Sequence, residues 1–119
     1  MDRVPVRELN NRMNRFRQIM DKAHSEWKLA IIITKVNQYY FTGTMQDGIL
    51  VIPRDKEAEY WVRRSYERAL DESHFPRIMP MKSYRDVVSH YGDRFPKEVY
   101  LETESVPLGL YNRLNRHFS

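Results

Sequence analysis

The sequence predicts an α/β fold: a mixed β-sheet of about five strands with helices packed on it. The chain opens with a long amphipathic helical pattern, and short apolar, strand-like runs then alternate with helical segments. The first strands are joined in hairpin fashion, whereas the later ones are separated by helices. Hairpin connections give antiparallel neighbours and helical crossovers give parallel ones, so a mixed sheet is expected.

Composition narrows the class of protein. The 119 residues suffice for one domain, and the chain contains no cysteine. Disulfide scaffolds, thiolate zinc sites and cysteine nucleophiles are therefore excluded, which fits a reducing compartment. The longest apolar run, Leu29–Ile33, is too short to span a membrane, and residues 1–21 lack the apolar core of a signal peptide. A cytoplasmic protein without a membrane partner is expected.

The first helix is basic. It begins near Pro5, and its apolar residues recur every three or four positions, which predicts one buried stripe: Leu9, Met13, Phe16, Met20 and Ala23. Residues 1–35 contain eight Lys or Arg against four Asp or Glu. Arg7, Arg15 and Lys22 fall opposite the stripe, where a solvated face is the usual outcome. No aromatic side chain stands among them to stack on bases, so nucleic-acid binding is the less favoured alternative.

The next elements can be placed in order. Leu29–Thr34 is apolar on both faces and predicts a buried central strand. In Asn37–Gly48, Gly43 and Gly48 bracket a polar tetrapeptide, which predicts a loop with special backbone angles. Gly48–Pro53 and Ala58–Val62 then predict a β-hairpin.

The second half alternates helices and strands. A short helix is predicted over Ser65–Ser73, and Pro80 confines the brief strand Arg77–Met81 to an edge. Ser83 and Asp86 form a capping-box pattern for a helix that ends at Gly92. Glu98–Glu102 predicts a strand. Ser105 and Pro107 suit the start of a final helix with an inward face made of Leu108, Tyr111, Leu114 and Phe118.

No residue pattern supports catalysis by this chain alone. The four histidines are scattered, and no two form the helical pair typical of a metal site. Glu102 and Glu104 would share one face of a strand, but charged strand ends are common. Gly43 and Gly48 are not followed by the lysine of a phosphate loop, and no serine lies in a nucleophile motif. We therefore assign no catalytic residue and no metal ligand.

Read together, the motifs resemble those of a known family. An arginine-rich amphipathic helix, Glu8–Ala23, precedes the apolar strand Leu29–Thr34. An asparagine-led turn follows, ending in the pattern aromatic–hydrophobic–Thr–Gly at Tyr40-Phe41-Thr42-Gly43. The strand Gly48–Pro53 and the segment Val62–Ala69 come next. In this order and spacing the chain resembles the N-terminal domain of the creatinase/prolidase family, which includes Xaa-Pro aminopeptidases and Xaa-Pro dipeptidases.

The resemblance carries expectations about fold and function. It implies that residues 1–119 form a single domain with a ribonuclease H-like motif, and that the pita-bread catalytic domain is absent from this chain. Manganese, cobalt or zinc would be held by that missing domain, and no cofactor by this one. The expected partners are the protein's own C-terminal catalytic domain, a second subunit in a homodimer, and a proline-containing peptide. The parent's substrate, whether such a peptide, creatine or none, stays open.

The resemblance also singles out residues. In some family members, loops of this domain help to close a neighbouring subunit's active site, which makes Thr44, Gln46 and Asp47 candidates for a substrate-proximal loop. Many members carry Asp-Gly/Ser-Arg-Tyr before the following helix, whereas this chain has Arg63-Arg64-Ser65-Tyr66. Arg64, one position earlier than the family arginine, is the candidate for its role. Four aromatic residues are expected to be core or interface anchors: Tyr39, Tyr40, Phe41 and Tyr66. The alternatives are a stand-alone interaction module and a basic nucleic-acid-binding domain.

Overall fold

The computed structural model describes residues 3–103 and 106–114 and consists of one mixed sheet flanked by helices. The helices are α1 (Val6–Ala23), α2 (Lys35–Thr42), α3 (Tyr66–Glu72) and α4 (Tyr84–Tyr91), and α4 continues into a 3₁₀ turn, Gly92–Arg94. The strands are β1 (Leu29–Ile32), β2 (Gly48–Pro53), β3 (Glu59–Val62), β4 (Ile78–Pro80), β5 (Glu98–Thr103) and β6 (Val106–Leu114). The predicted α/β class is therefore confirmed.

Within the described residues the sheet has six strands, in the order β4-β3-β2-β1-β5-β6. β2 pairs antiparallel with both β1 and β3, and the β2–β3 pair is the predicted hairpin. β1 pairs parallel with β5, and β3 pairs parallel with the edge strand β4. β6 runs antiparallel to β5. Antiparallel and parallel neighbours thus coexist as expected, with one strand more than the sequence predicted.

Two apolar cores lie on opposite faces of the sheet. Ala30 and Ile32 face the core beneath α1, α2 and α3, whereas Leu29 and Ile31 face the core beneath α4. All four residues of β1 are buried, as the apolar composition of both its faces predicted. The predicted stripe of α1 is buried in the first core, except that Ala23 is exposed: Leu9, Met13, Phe16 and Met20.

The first difference from the sequence prediction is α2. The segment expected to form an asparagine-led turn is a two-turn helix that ends at Gly43, whose φ of 83° gives a left-handed C-cap. Gln38 and Phe41, three positions apart, are both buried on its inner face. Its Val and Tyr residues have modest helix propensity, so packing and capping by the rest of the fold determine this helix.

The second difference is the last element. A helix was predicted from Ser105, but Val106–Leu114 forms β6. The apolar residues of this segment fit both periods: Leu108, Tyr111 and Leu114 suit a helix, whereas Val106, Leu108 and Leu110 alternate as in a strand. Pairing with β5 covers what would otherwise be an open edge of the sheet, which favours the strand. Ser105 and Phe118 lie outside the described residues.

A buried carboxylate connects β5 to the start of α2. Glu102 is 2% exposed, and its Oε1 accepts hydrogen bonds from the backbone N–H groups of Ile33 (3.0 Å) and Thr34 (2.7 Å). Its Oε2 accepts from the Thr34 hydroxyl (2.6 Å) and from the Asn37 amide. The Thr34 side chain makes no cap hydrogen bond within its own helix. A residue distant in sequence therefore supplies the acceptor that a helix start requires.

We expect Glu102→Ala to lower the free energy of unfolding by roughly 2–4 kcal/mol, because several buried donors lose their acceptor at once. Chemical denaturation would measure the loss, and far-ultraviolet circular dichroism would report on α2. Glu98→Ala is the matched control, since Glu98 is an exposed residue of the same strand and should cost less than about 0.5 kcal/mol. Equal losses for the two variants would contradict the capping role.

Candidate functional site

The loop Thr44–Asp47 and the turn Arg63–Ser65 lie together at one end of the β2–β3 hairpin. Gly48 pairs with Val62, so the segments that flank these two strands are neighbours. The backbone N–H of Arg63 donates to the carbonyl of Asp47 at 2.7 Å. The fold therefore brings the loop candidates Thr44, Gln46 and Asp47 close to Arg64, which the resemblance singled out from a different motif.

Asp47 is held by one of two neighbouring arginines. The Arg63 guanidinium donates to both carboxylate oxygens of Asp47, with N···O distances of 3.1 to 3.4 Å. Arg64 Nε lies 3.9 Å from Asp47 Oδ2, and its side chain is 80% exposed. Asp47 is thus largely engaged within the domain, whereas Arg64 projects into solvent as a cation available to another molecule.

The backbone at Ser65 is unusual. Its φ of 58° and ψ of 38° lie in the left-handed region, and Ser65 is the one non-glycine residue with positive φ in the described part of the chain. Such a conformation costs about 1 kcal/mol or more for a residue with a Cβ atom. It turns the chain sharply between the exposed Arg64 and the first residue of α3, Tyr66. The sequence carries no glycine here to signal this turn.

A buried polar network fixes the loop from below. The Gln38 amide nitrogen donates to the carbonyls of Gly48 (2.8 Å) and Ile32 (3.2 Å), and the Gln38 Oε1 accepts from the Tyr60 hydroxyl (2.6 Å). The same hydroxyl accepts from the backbone N–H of Gln46 (2.9 Å). Gln38 and Tyr60 are both completely buried. The loop is therefore tied to α2 and β3 by side chains that water does not reach.

The environment of Tyr60 keeps its hydroxyl protonated. Burial raises the pKa of Tyr60 to about 12; the nearby charge of Asp47 acts in the same direction, and the hydrogen bond from the Gln46 backbone opposes them. The ordinary value is 10.0. Throughout the physiological range the phenol can thus both donate to Gln38 and accept from Gln46, which is what the network requires.

Thr44 and Gln46 are also directed inward. The Thr44 hydroxyl donates to Glu72 Oε1 at 2.8 Å, and the Gln46 amide donates to the Thr44 hydroxyl (2.9 Å) and to the same glutamate oxygen (3.2 Å). Thr44 is 1% exposed and Gln46 is 8% exposed. Of these two sequence-predicted candidates, neither presents its side chain outward; they anchor the loop to α3 instead.

An apolar side chain that the sequence analysis did not select is the one exposed. Met45 is 49% exposed and lies beside Tyr39, which is 43% exposed. Both line a cavity of about 360 Å³ together with Arg3, Gly43, Gln46, Arg68, Asp71 and Glu72. Met45 could have been selected from the sequence, because it is a large apolar residue inside a polar tetrapeptide. Glu72 had no such signal, because its role depends on α3 packing against the loop.

The four expected anchors have different environments. Phe41 is fully buried and packs edge-on against Phe16, with ring centroids 5.3 Å apart. Tyr40 is half-buried and lies under the Arg12 guanidinium, 4.6 Å from the ring centroid. Tyr66 packs partly buried against the same core. Phe41 is therefore a core anchor, Tyr40 and Tyr66 lie at its margin, and Tyr39 is a surface residue.

The arginines of α1 bind the body of the domain. Arg12 donates to the carbonyl of Tyr40 (2.7 Å), Arg15 to the hydroxyl of Tyr40 (3.3 Å) and Arg17 to the carbonyl of Pro53 (3.0 Å). Arg12 also forms an ion pair with Glu8 one helical turn earlier (2.8 Å). These side chains thus attach the helix to α2 and β2, and they offer nucleic acid fewer free cations than the sequence count suggests.

The carboxylates at this site are engaged by donors of the protein itself. Asp47 is engaged by Arg63, and Glu72 accepts from Thr44 and Gln46. Within residues 3–103 and 106–114, no three His, Asp or Glu side chains are grouped so that they could hold a metal ion. The same residues include no helix with the length and apolarity that crossing a bilayer requires.

Comparison with solved structures shows the same fold in peptidase chains. A proline dipeptidase from Streptococcus agalactiae superposes with a TM-score of 0.65 at 16% identity, covering 83% of this chain and 80% of that one. The prolidase from Pyrococcus horikoshii gives 0.66 at 23% identity, covering 82% of this chain but 27% of the prolidase. The Creatinase/Prolidase N-terminal domain of an X-Pro dipeptidase from Streptococcus pyogenes gives 0.65 at 18% identity, covering 82% and 80%.

Sequence comparison identifies the family. At identities below 25% the structural likeness shows the fold alone, and this chain spans about a quarter of the Pyrococcus prolidase. No curated protein matches the sequence. The family model for the Creatinase/Prolidase N-terminal domain, however, matches residues 12–119, which is nearly the whole chain. The chain therefore belongs to the creatinase/prolidase N-terminal domain family.

Proposed function

We propose that this chain is the non-catalytic N-terminal domain of an Xaa-Pro metallopeptidase of the aminopeptidase P or prolidase type. It contributes to subunit association, and its Thr44–Asp47 loop lies near the active site of a neighbouring subunit. Family membership supports this assignment, and so do the structural neighbours, which are proline dipeptidases, prolidases and Xaa-Pro aminopeptidases.

The observation that carries the proposal is the rigid presentation of the loop. Gln38 and Tyr60 hold its backbone from inside, whereas Met45 and Arg64 project outward. Residues that position a substrate act best when the surrounding structure fixes them before binding. A loop built in this way suits a contact with another subunit's cleft, and it carries no catalytic group of its own.

The remaining components follow from the same proposal. Hydrolysis belongs to a catalytic domain outside this chain, which holds divalent manganese, cobalt or zinc. The parent enzyme acts on a proline-containing peptide and associates as a homodimer through this domain. A cytoplasmic location is part of the proposal, and the absence of cysteine from the 119 residues agrees with it.

A stand-alone interaction module is the second candidate. One observation favours it: the outer side of α2 is apolar, with Val36 75% exposed, Tyr39 43% exposed and Ile33, just before the helix, 45% exposed. Contiguous exposed apolar surface is a feature of protein contact sites. In the first proposal this surface meets another part of the enzyme, whereas in the second it meets an unrelated protein.

Incubation of the isolated chain with an Xaa-Pro dipeptide and manganese or cobalt should release no proline above the blank. The physical reason is that Asp47 and Glu72 are already committed to protein donors. Amino-acid analysis of the mixture measures the product. Turnover that disappears when a carboxylate of this chain is replaced would contradict the non-catalytic assignment.

In the full-length enzyme, Arg64→Ala should raise KM for an Xaa-Pro peptide roughly three- to tenfold with little change in kcat, because one exposed charge contact is lost. Its melting temperature should stay unchanged, since the side chain is 80% exposed. Arg85→Ala is the control, an exposed arginine on α4. An unchanged KM for Arg64→Ala, or an equal rise for Arg85→Ala, would remove the loop from the proposal.

Tyr60→Phe should cost about 1–3 kcal/mol of unfolding free energy and should accelerate amide exchange at Gln46, which loses its acceptor. Tyr39→Phe, at an exposed tyrosine, is the matched control. The folded pKa of Tyr60, about 12, exceeds the ordinary 10.0, so its contribution is complete below pH 10 and declines as pH rises toward 12. Urea titrations at pH 8 and pH 11 should therefore show a smaller alkaline loss for Tyr60→Phe than for the original chain.

A further inference from the structure

A second polar cavity lies at the opposite end of the β2–β3 hairpin from the Thr44–Asp47 loop. It has a volume of about 360 Å³ and opens between the turn that joins β2 to β3, the start of β4 and the end of α4. Every residue that lines it is polar or ionisable: Lys56, Glu57, Glu59, Arg77, His90, Tyr91 and Arg94. Such a lining is unusual, since most small-molecule pockets are largely apolar.

The base of the cavity is a buried and fully occupied carboxylate. Glu59 is 4% exposed, and its Oε1 accepts from the Tyr91 hydroxyl (2.8 Å) and the Trp61 indole (3.2 Å). Its Oε2 accepts from Arg77 Nη2 (3.0 Å) and lies 3.2 Å from His90 Nε2. With four partners, Glu59 has little capacity left for a ligand, and it orients Arg77 and His90 toward the cavity.

Glu59 stays ionised in this position. Burial by itself would raise the pKa of Glu59, but the hydrogen bonds from Tyr91, Arg77 and Trp61 and the charge of His90 outweigh it. The net effect lowers the pKa below its ordinary 4.5. Arg77 is therefore held by a permanent anion at neutral pH, which fixes its guanidinium in one place.

The three cations around the cavity differ in how far acceptors of the protein engage them. Lys56 forms no ion pair with any residue that the structure describes. Arg77 Nε is buried and has no hydrogen-bond partner among the described residues. The exposed Glu57 carboxylate lies 3.8 Å from this nitrogen. Arg94 donates Nε and Nη2 to the carbonyls of Tyr91 and His90. Those bonds cover the negative end of α4, which would otherwise repel an anion.

We propose that this cavity binds a small polyvalent anion, such as a phosphate group or a dicarboxylate, through Lys56 and Arg77. The lining carries three permanent cations against two carboxylates, and Glu59 is already saturated. Lys and Arg donors bind phosphate and carboxylate oxygens through charge-assisted hydrogen bonds. The volume accommodates an anion with a few further atoms. The cavity and the loop lie at different ends of the hairpin, so this inference does not rest on the proposed function.

Titration of the ¹⁵N-labelled chain with inorganic phosphate, and separately with succinate, tests the proposal at pH 7. Ionic strength is held constant with sodium chloride, which also serves as the ligand-free control. Saturable shifts of the amides of Lys56, Arg77 and His90 are expected in at least one titration. Saturation by phosphate alone would identify a phosphoryl ligand, and saturation by succinate alone would identify a carboxylate ligand.

Lys56→Gln should weaken the binding roughly tenfold, because it removes one charge-assisted contact. The substitution leaves the fold intact, since the Lys56 ammonium has no ion pair to lose among the described residues. Lys22→Gln, an exposed lysine of α1, makes the same change of charge elsewhere and should bind as the original chain does. Shifts that match the sodium chloride control, or equal affinities for Lys56→Gln and Lys22→Gln, would overturn the proposal.

Discussion

The burial of β1 on both faces is the constraint from which the rest of the architecture follows. Its four residues alternate between two cores, so each face of the sheet must be covered by helices. Burying an Ile or Leu side chain contributes roughly 1.5–3 kcal/mol to the free energy of folding. A face of the sheet without helices over it would lose several such contributions. The arrangement of α1, α2 and α3 on one face and α4 on the other satisfies this requirement. It also leaves both ends of the β2–β3 hairpin open to solvent, where the loop and the polar cavity lie.

Local signals were sufficient for much of the fold. The period of α1, the two strand-like runs of the hairpin and the Ser83–Asp86 capping box each depend on residues close in sequence, and the structure contains all three. α2 could not be predicted in the same way, because the carboxylate that caps it belongs to Glu102, on a strand far along the chain. β6 was missed for a related reason: its apolar residues fit two periods, and the choice depends on the exposed edge of β5.

In the candidate site, too, some features follow from the local sequence and others depend on distant residues. Gly43 and Gly48 located the loop in the sequence, but they could not show which side chains point outward. That orientation is set by Tyr60 on β3 and Glu72 on α3, which draw Gln46 and Thr44 inward and leave Met45 exposed. The left-handed backbone at Ser65 could not be predicted from the sequence, because serine disfavours the conformation that the fold imposes on it. The polar composition of the loop thus did not indicate which of its side chains are exposed.

The parallel pairing of β1 with β5 has a consequence for the order of folding. Ala30 pairs with Tyr100, about 70 residues later, whereas the antiparallel partner β2 follows β1 closely. At about 5–20 residues per second, a ribosome would need roughly 4–14 s to synthesise that interval. During this time one edge of the most apolar strand has no partner, and such edges invite aggregation. Early formation of α1 over the nascent hairpin would shield only a face of the strand, so this edge of β1 stays unpaired until β5 is complete.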